Sequence, residues 1–353
     1  MKILYVVTGL GLGGAEKVVI DLADQMILLG HTVKIVYLKG NIIVSPKNIL
    51  IELIGLDFEK MNGFLKASKK YKSIIKEFKP DVVHAHMIHA NIFARLNRIG
   101  CKVQKLICTA HNSNEGGNLR MLAYKYTNFL SDINTNVSNE ASASLIAKGA
   151  FTDKNLITVY NGIDLAKFNK IDLLNDNAGI NFISVGRFNE QKDYPNLLNA
   201  IASIKNQLNE NVTFSIAGDG ELRSEIEALI KSRGLQQYVQ LLGKRSDIPE
   251  LLNQSNFFIL SSKHEGLPTV VMEAMACLTY VISTDCGGSA EIMGDTGKLV
   301  PINDSASLGK AILEAINLKD IEVKENNDKA RKRIEKEFSL QSSIEAWLKL
   351  YGN

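Results

Sequence analysis

The sequence predicts an α/β protein built from two doubly wound parallel sheets, and three observations carry that expectation. Short β-rich runs alternate with helical stretches from residue 2 onward, each run ending in a glycine-led or polar loop. The alternation lapses in a polar, irregular stretch, residues 165–181, and then begins again. The 353 residues, 45% hydrophobic and 22% charged, suffice for two separate cores in an ordinary globular protein. The expected domains are residues 1–164 and 182–337, joined by a linker at 165–181, with the helix at 338–353 packing back on the first.

The first domain opens with Lys2 to Val7, a buried strand that runs into the glycine-rich turn Gly9 to Gly14. A helix follows, with Val18, Val19, Leu22, Ala23, Met26 and Ile27 at helical spacing; Gly30 ends it, and HTVKIVYL supplies the second strand. Gly9-x-Gly11-x-x-Gly14 has the form of a dinucleotide fingerprint, but Leu38-Lys39-Gly40 stands where an acid should hold a ribose. Gly13 and Gly14 are read instead as places where backbone can approach a phosphate or sugar closely. Residues 64–79, FLKASKKYKSIIKEFK, put Phe64, Ala67, Tyr71, Ile74, Ile75 and Phe78 on one stripe and six lysines elsewhere. The stripe packs inward; the lysines form a basic face suited to anionic lipid head groups.

Pro80 to His86 is a further strand, and His84, His86 and His89 have a metal-like spacing that no nearby cysteine completes. The expectation is no metal. Lys105 to Thr109 is another strand, ending at Ala110-His111-Asn112, and His111 is the stronger candidate because parallel sheets bind ligands at their carboxyl ends. Strands at 132–137 and 157–159 complete this half. In the second half, strands at 182–185, 214–217, 239–242 and 257–260 alternate with helices, and a helix from Leu340 to Tyr351 ends the pattern with the sequence's one tryptophan, Trp347, on its apolar face. Cys101, Cys108, Cys277 and Cys286 show neither CxxC spacing nor a framework and are read as reduced thiols. Glycines and Glu16 break up the N-terminal apolar run, and no segment approaches 18 consecutive apolar residues.

The stretch 261–291, SSKHEGLPTVVMEAMACLTYVISTDCGGSAE, organises the second half. Gly266, Leu267 and Pro268 lead into a helix at Thr269 and Val270, whose N–H groups suit phosphate. Glu265 before the helix and Glu273 on it would repel phosphate but can accept hydrogen bonds from hydroxyls. Glu273 also lies in the apolar run VVMEAMA, where a lone buried carboxylate needs a partner. Phosphate with hydroxyls is what a nucleotide-sugar presents. Arg187 and Lys192, in one glycine-led loop, can fix positive charge against a departing diphosphate. Formal charge is uneven: residues 1–170 carry 22 Lys and Arg against 13 Asp and Glu, whereas the whole chain is only +3.

In their order and spacing, GLGGAEKVV, DVVHAH, TAHN, VYNGID, VGRFNEQKD, IAGDGELR, LLGKRSDIP and HEGLPTVVMEAMAC with STDCGGSAEI resemble the GT-B-fold retaining glycosyltransferases of family 4 over nearly the whole chain. The resemblance implies that Glu265 contacts the hydroxyls of the donor sugar and Glu273 those of the ribose. It puts Arg187, Lys192 and the backbone at Gly266 to Val270 on the diphosphate, with Gly13-Gly14 closing from the other domain. The base would lie near Gly243, Lys244 and Arg245, and His111 would hydrogen-bond the donor sugar. It further implies a UDP-linked donor, a glycan or polyprenyl-linked glycan acceptor, no metal or other cofactor, no nucleic acid, and a cytoplasmic enzyme at the inner membrane face; the residues Lys66 to Lys79 offer either a contact with that surface or a solvated helix face. A GT-B-fold nucleotide-sugar epimerase is the alternative. One departure is visible: the family usually follows EAMAC with glycine, and this chain has Leu278.

Overall fold

The computed structural model describes residues 1–11, 13–113, 116–171 and 179–352. The chain divides into two compact units: Met1–Gly162 with the C-terminal helix Leu340–Gly352, and Ile163–Ser339.

The first unit is a seven-stranded parallel sheet. Its strands are β1 (Lys2–Val7), β2 (Thr32–Tyr37), β3 (Glu52–Gly55), β4 (Val82–His86), β5 (Lys105–Ala110), β6 (Ile133–Asn136) and β7 (Ile157–Thr158), in the order β3-β2-β1-β4-β5-β6-β7. The helices are α1 (Gly14–Leu28), α2 (Phe64–Phe78), α3 (Ile88–Arg98), α4 (Asn118–Thr127) and α5 (Asn139–Ala147). After the exposed Lys2, β1 is buried from Ile3 to Val7 because both its faces are covered. Ile3, Tyr5 and Val7 pack with Val19, Leu22 and Met26 of α1 and with Trp347 and Tyr351 of the C-terminal helix. Leu4 and Val6 pack on the opposite face with Tyr71 and Ile75 of α2 and Phe93 of α3. The edge strand β3 was not foreseen; its four residues are too few for a periodic signal.

The second unit repeats the plan with β8 (Ile180–Val185), β9 (Val212–Ala217), β10 (Val239–Gly243), β11 (Phe257–Leu260), β12 (Tyr280–Thr284) and β13 (Lys298–Val300), ordered β10-β9-β8-β11-β12-β13. Its helices are α6 (Tyr194–Ile204), α7 (Arg223–Ser232), α8 (Ile248–Asn253), α9 (Thr269–Ala276), α10 (Ser289–Met293), α11 (Ser305–Ile316) and α12 (Asp320–Glu337). Phe182 stacks between Phe214 and Phe257, with ring centroids 4.7 and 4.8 Å away, so one aromatic row ties three adjacent strands. In both units the chain runs outward from a central strand, returns and continues on the other side. Ligand crevices in such sheets lie at the carboxyl ends of the strands where this reversal occurs, here β1/β4 and β8/β11.

Part of the expected linker, residues 172–178, lies outside the described residues. The described ends of 165–181 pack with the second unit: Phe168 is buried, Ile171 N–H donates to Asn253 Oδ1 at 2.9 Å, and β8 begins at Ile180. Phe338 also belongs to this unit, accepting from Ile163 N–H at 3.0 Å, so the helix that returns to the first unit starts only at Leu340.

α9 ends in a Schellman turn, with Thr279 N–H on Ala274 O at 3.0 Å and Leu278 N–H on Met275 O at 3.2 Å. That turn forces Leu278 to φ +60°, a left-handed conformation that glycine adopts without a Cβ clash. The position where the family usually has glycine is thus one that glycine suits. Leu278→Gly is expected to be more stable than Leu278→Ala by about 1 kcal/mol, the reverse of the order inside a helix. Urea unfolding of the two variants measures it, and an advantage for alanine would refute the strain.

Candidate functional site

The loops after β8 and β11 meet at the reversal point of the second unit. Glu265, on the loop after β11, is 8% exposed, and three side chains meet its carboxylate. Lys192 Nζ lies 2.7 Å from Oε1, Ser262 Oγ donates to Oε1 at 2.7 Å and Gln191 Nε2 donates to Oε2 at 3.0 Å. A charge taken so far out of water needs such partners. The glycine pair 287–288 fits beneath it: a Cβ on Gly287, which has φ +54°, would lie 2.4 Å from Glu265 O, and Gly288 N–H donates to Gly266 O at 2.8 Å. A side chain at position 287 would push the loop at Glu265 away.

Leu267 and Pro268 are buried, and Thr269 and Val270 at the start of α9 are half-buried. Pro268, the N-cap, makes no side-chain hydrogen bond to the first turn of α9, where Val271 N–H donates to Pro268 O at 3.0 Å. Glu273 lies one turn further along, 5% exposed, among the buried Val271, Met272, Ala274, Met275 and Ala276. The structure therefore joins Lys192, from the loop after β8, to Glu265, on the loop that leads from β11 into α9, the helix that carries Glu273.

Arg187 points outward at the same reversal point, where both its Nε and its Nη2 lie 3.1 Å from Glu221 Oε2, with the two side chains 63% and 54% exposed. Pairs this exposed are worth roughly 0–1 kcal/mol, so the guanidinium exchanges partners readily. The loop that presents Arg187 closes on glycine, since a Cβ on Gly220 would meet Phe188 O at 2.4 Å. At the end of β10, Gly243 turns with φ +69°, Lys244 is exposed and Arg245 is paired with Asp247. The partners Gln191, Ser262, Glu221 and Asp247 were not singled out from sequence; only Asp247, two residues from Arg245, leaves a local signal.

In the first unit, His86 and His111 meet at the ends of β4 and β5, with His86 Nδ1 2.9 Å from His111 Nε2. His84, on the same face of β4 as His86, lies with its ring centroid 3.9 Å from that of His86. Its nitrogens bond Tyr351 OH and Thr109 Oγ1, each at 2.6 Å. Burial pushes the His111 imidazole down to about 4, and burial holds His84 and His86 well below the usual histidine value. His111 is half-buried, and in its neutral form it can donate or accept one hydrogen bond at each nitrogen. His89 is exposed on α3, apart from this row. Among the described residues, no group of three or more His, Cys, Asp or Glu is placed to hold a metal ion.

The two N-terminal glycines differ. A Cβ on Gly13 would lie 2.3 Å from Glu16 Oε2, whereas a Cβ on Gly14, the first residue of α1, would meet nothing within 4 Å. The fold itself does not require glycine at position 14. On α2, Lys70 and Lys72 donate to Gly55 O and Ile99 O, at 2.6 and 3.3 Å, and Lys66, Lys69, Lys76 and Lys79 are exposed. The basic face therefore rests on four of the six lysines, because two are tied to backbone carbonyls. No helix among the described residues is long and apolar enough to cross a membrane.

Residues 12–167 match the model of Glycosyltransferase Family 4, and residues 167–337 that of Glycosyl transferases group 1. Among curated relatives, a Campylobacter jejuni GalNAc-α-(1→4)-GalNAc-α-(1→3)-diNAcBac-PP-undecaprenol α-1,4-N-acetyl-D-galactosaminyltransferase is 28% identical, over 99% of this chain and 98% of its own length. An Escherichia coli UDP-Gal:α-D-GlcNAc-diphosphoundecaprenol α-1,3-galactosyltransferase is 30% identical over 80% of this chain and 77% of its own. Among solved structures, a Rickettsia africae glycosyltransferase superposes with a TM-score of 0.85 at 22% identity, covering 99% of this chain and 97% of that one.

Two stability predictions follow from the geometry. Lys192→Met strands the buried Glu265 carboxylate and is expected to cost about 2–4 kcal/mol, most of which the double variant with Glu265→Gln should restore; denaturant unfolding of the three variants tests this, and an undiminished single variant would contradict the pairing. The three histidines are neutral in the fold and have an ordinary pKa of about 6.5 when unfolded. Below that value the unfolded chain binds more protons, so stability falls as pH drops from 7.5 to 5.5, by up to about 1.4 kcal/mol per pH unit for each histidine. His84→Gln should make the slope shallower; a flat profile in the parent protein would show that these imidazoles are not held neutral.

Proposed function

The chain belongs to glycosyltransferase family 4, and from that membership we propose that this glycosyltransferase moves a hexose or N-acetylhexosamine from a UDP-sugar to a lipid-linked glycan. The product would serve O-antigen, capsule or related polysaccharide synthesis. The observation that carries the reading is the Glu265–Lys192 centre beside the start of α9, with Glu273 on the same helix. Support for the lipid-linked acceptor comes from the Campylobacter and Escherichia relatives, both named for undecaprenyl-diphosphate glycans. An Anabaena protein of the same fold, solved with UDP, agrees with the choice of nucleotide (TM-score 0.84, 20% identity, all of both chains covered).

In this reading the second unit binds the donor. Glu265 accepts from hydroxyls of the sugar and Glu273 from those of the ribose, while the α9 start at Gly266 to Val270 takes phosphate oxygens. Backbone at Gly243 to Arg245 lies along the base. Arg187 leaves Glu221 for the diphosphate, and Lys192 adds a second positive charge, so no metal is needed to stabilise the leaving group. The first unit binds the acceptor, contributing His111 to the donor sugar and the open backbone at Gly14 to the phosphates. An acceptor hydroxyl attacks the anomeric carbon on the face that the diphosphate leaves, so configuration is retained. The carbon–oxygen bond to the diphosphate breaks with its electron pair on the phosphate, which takes the hydroxyl proton. The basic face of α2 would keep the enzyme at the cytoplasmic membrane surface.

Arg187→Ala is expected to lower turnover of radiolabelled donor at least 100-fold, with an unchanged melting temperature because the Glu221 pair is exposed. Gly14→Ala should also leave the melting temperature unchanged and raise KM for the donor. Wild-type turnover in Arg187→Ala would sink the assignment, and isomerised sugar from donor alone would favour an epimerase.

A further inference from the structure

Four large apolar side chains stand in water along one face of α4 and the turn that follows it. Leu119 is 83% exposed, Leu122 44%, Tyr126 68% and Phe129 75%. Their spacing, three, four and three residues, keeps them on one side of a helix. The opposite side is spent on the core, where Met121 and Tyr124 are buried. Isolated exposed leucines need no explanation, but an unbroken stripe with two aromatics at one end marks a surface that meets something apolar.

Charge selects the occupant. Arg120 and Lys125 are exposed on the flanks of the stripe, and Lys125 Nζ lies 6.0 Å from the Tyr126 ring centroid. On the far side of α3, which packs against both helices, α2 adds exposed lysines to the same unit. An apolar ridge edged by cations, with a tyrosine whose hydroxyl can stay in the polar layer, is the pattern of a helix lying in a membrane interface.

We propose that α4 is a membrane-interface helix: Leu119, Leu122, Tyr126 and Phe129 enter the acyl boundary of an anionic phospholipid monolayer, and Arg120 and Lys125 bind its phosphates. The inference rests on the reading that the acceptor is lipid-linked, and gives it a geometry. In the order of elements α4 is the next helix after β5, whose end His111 follows, so this face and that residue belong to the same unit and to neighbouring parts of the sequence. A monolayer held there keeps a lipid diphosphate beside the unit that would receive it, and the lysines of α2 provide longer-range attraction rather than insertion.

A Phe129→Trp variant reports insertion, since Trp347 is buried and supplies a constant background. With vesicles of phosphatidylglycerol and phosphatidylcholine, its emission should shift to the blue and be quenched by brominated lipid tails. A triple variant, Leu119→Ser with Tyr126→Ser and Phe129→Ser, should lose more than about tenfold in vesicle partitioning and keep its melting temperature. Its turnover should be normal on a water-soluble acceptor and reduced on acceptor embedded in vesicles. Unchanged partitioning of the triple variant, or vesicle binding without any shift or quenching of the introduced tryptophan, overturns the proposal and leaves α2 as the docking face. A concentration-dependent dimer that the triple variant abolishes, with no effect on vesicles, overturns it in favour of a second copy. Absence of transfer to any acceptor by the parent enzyme would instead contradict the proposed function.

Discussion

Burying the carboxylate of Glu265 constrains everything around it. Removing that charge from water is tolerable only if cation and donors converge on it, and Lys192, Gln191 and Ser262 arrive from the loops after two different strands. The convergence fixes the path of the β8 loop relative to that of the β11 loop. It also requires the glycine at 287 beneath and sets where α9 begins. A loop tied by three contacts to one carboxylate is the kind of arrangement that preorganised electrostatics uses. Arg187, in an exposed and weak pair with Glu221, is the mobile charge of the same loop.

The two units share a strand order and differ in their chemistry. In the second, fixed and exposed charges gather at the β8/β11 reversal. At the corresponding end of the first, the histidines of β4 and β5 are neutral, and Glu16 is pushed towards its protonated form by its surroundings, burial first.

Most of the fold was legible because parallel strands covered on both faces read as unbroken apolar runs; ILYVV after Lys2, and FFIL, need no partner to be recognised. The edge strand β3 and the short helices were not, since four or five residues carry no period, and the longer α11 and α12 were not placed either. Arg187, Lys192, Glu265 and Glu273 were legible as types in a known order. What they touch was not: Glu221 lies 34 residues from Arg187 and Gln191 lies 74 from Glu265, distances that only the fold closes. The histidines of β4 show the opposite case. Their metal-like spacing reflects a strand's period of two, which put both rings on one buried face.

The return of the chain to its first unit has a consequence in time. Trp347 and Tyr351 belong to the core that covers one face of β1, and Tyr351 closes a buried contact with Tyr5 at 3.1 Å. Those residues leave the ribosome after the whole of Ile163–Ser339. The later unit can therefore fold during synthesis, while the earlier one waits with the part of its sheet face that α1 leaves open uncovered until the last helix emerges. Chains stalled before Leu340 would expose that face to proteases and chaperones, although every strand of the sheet had already been made.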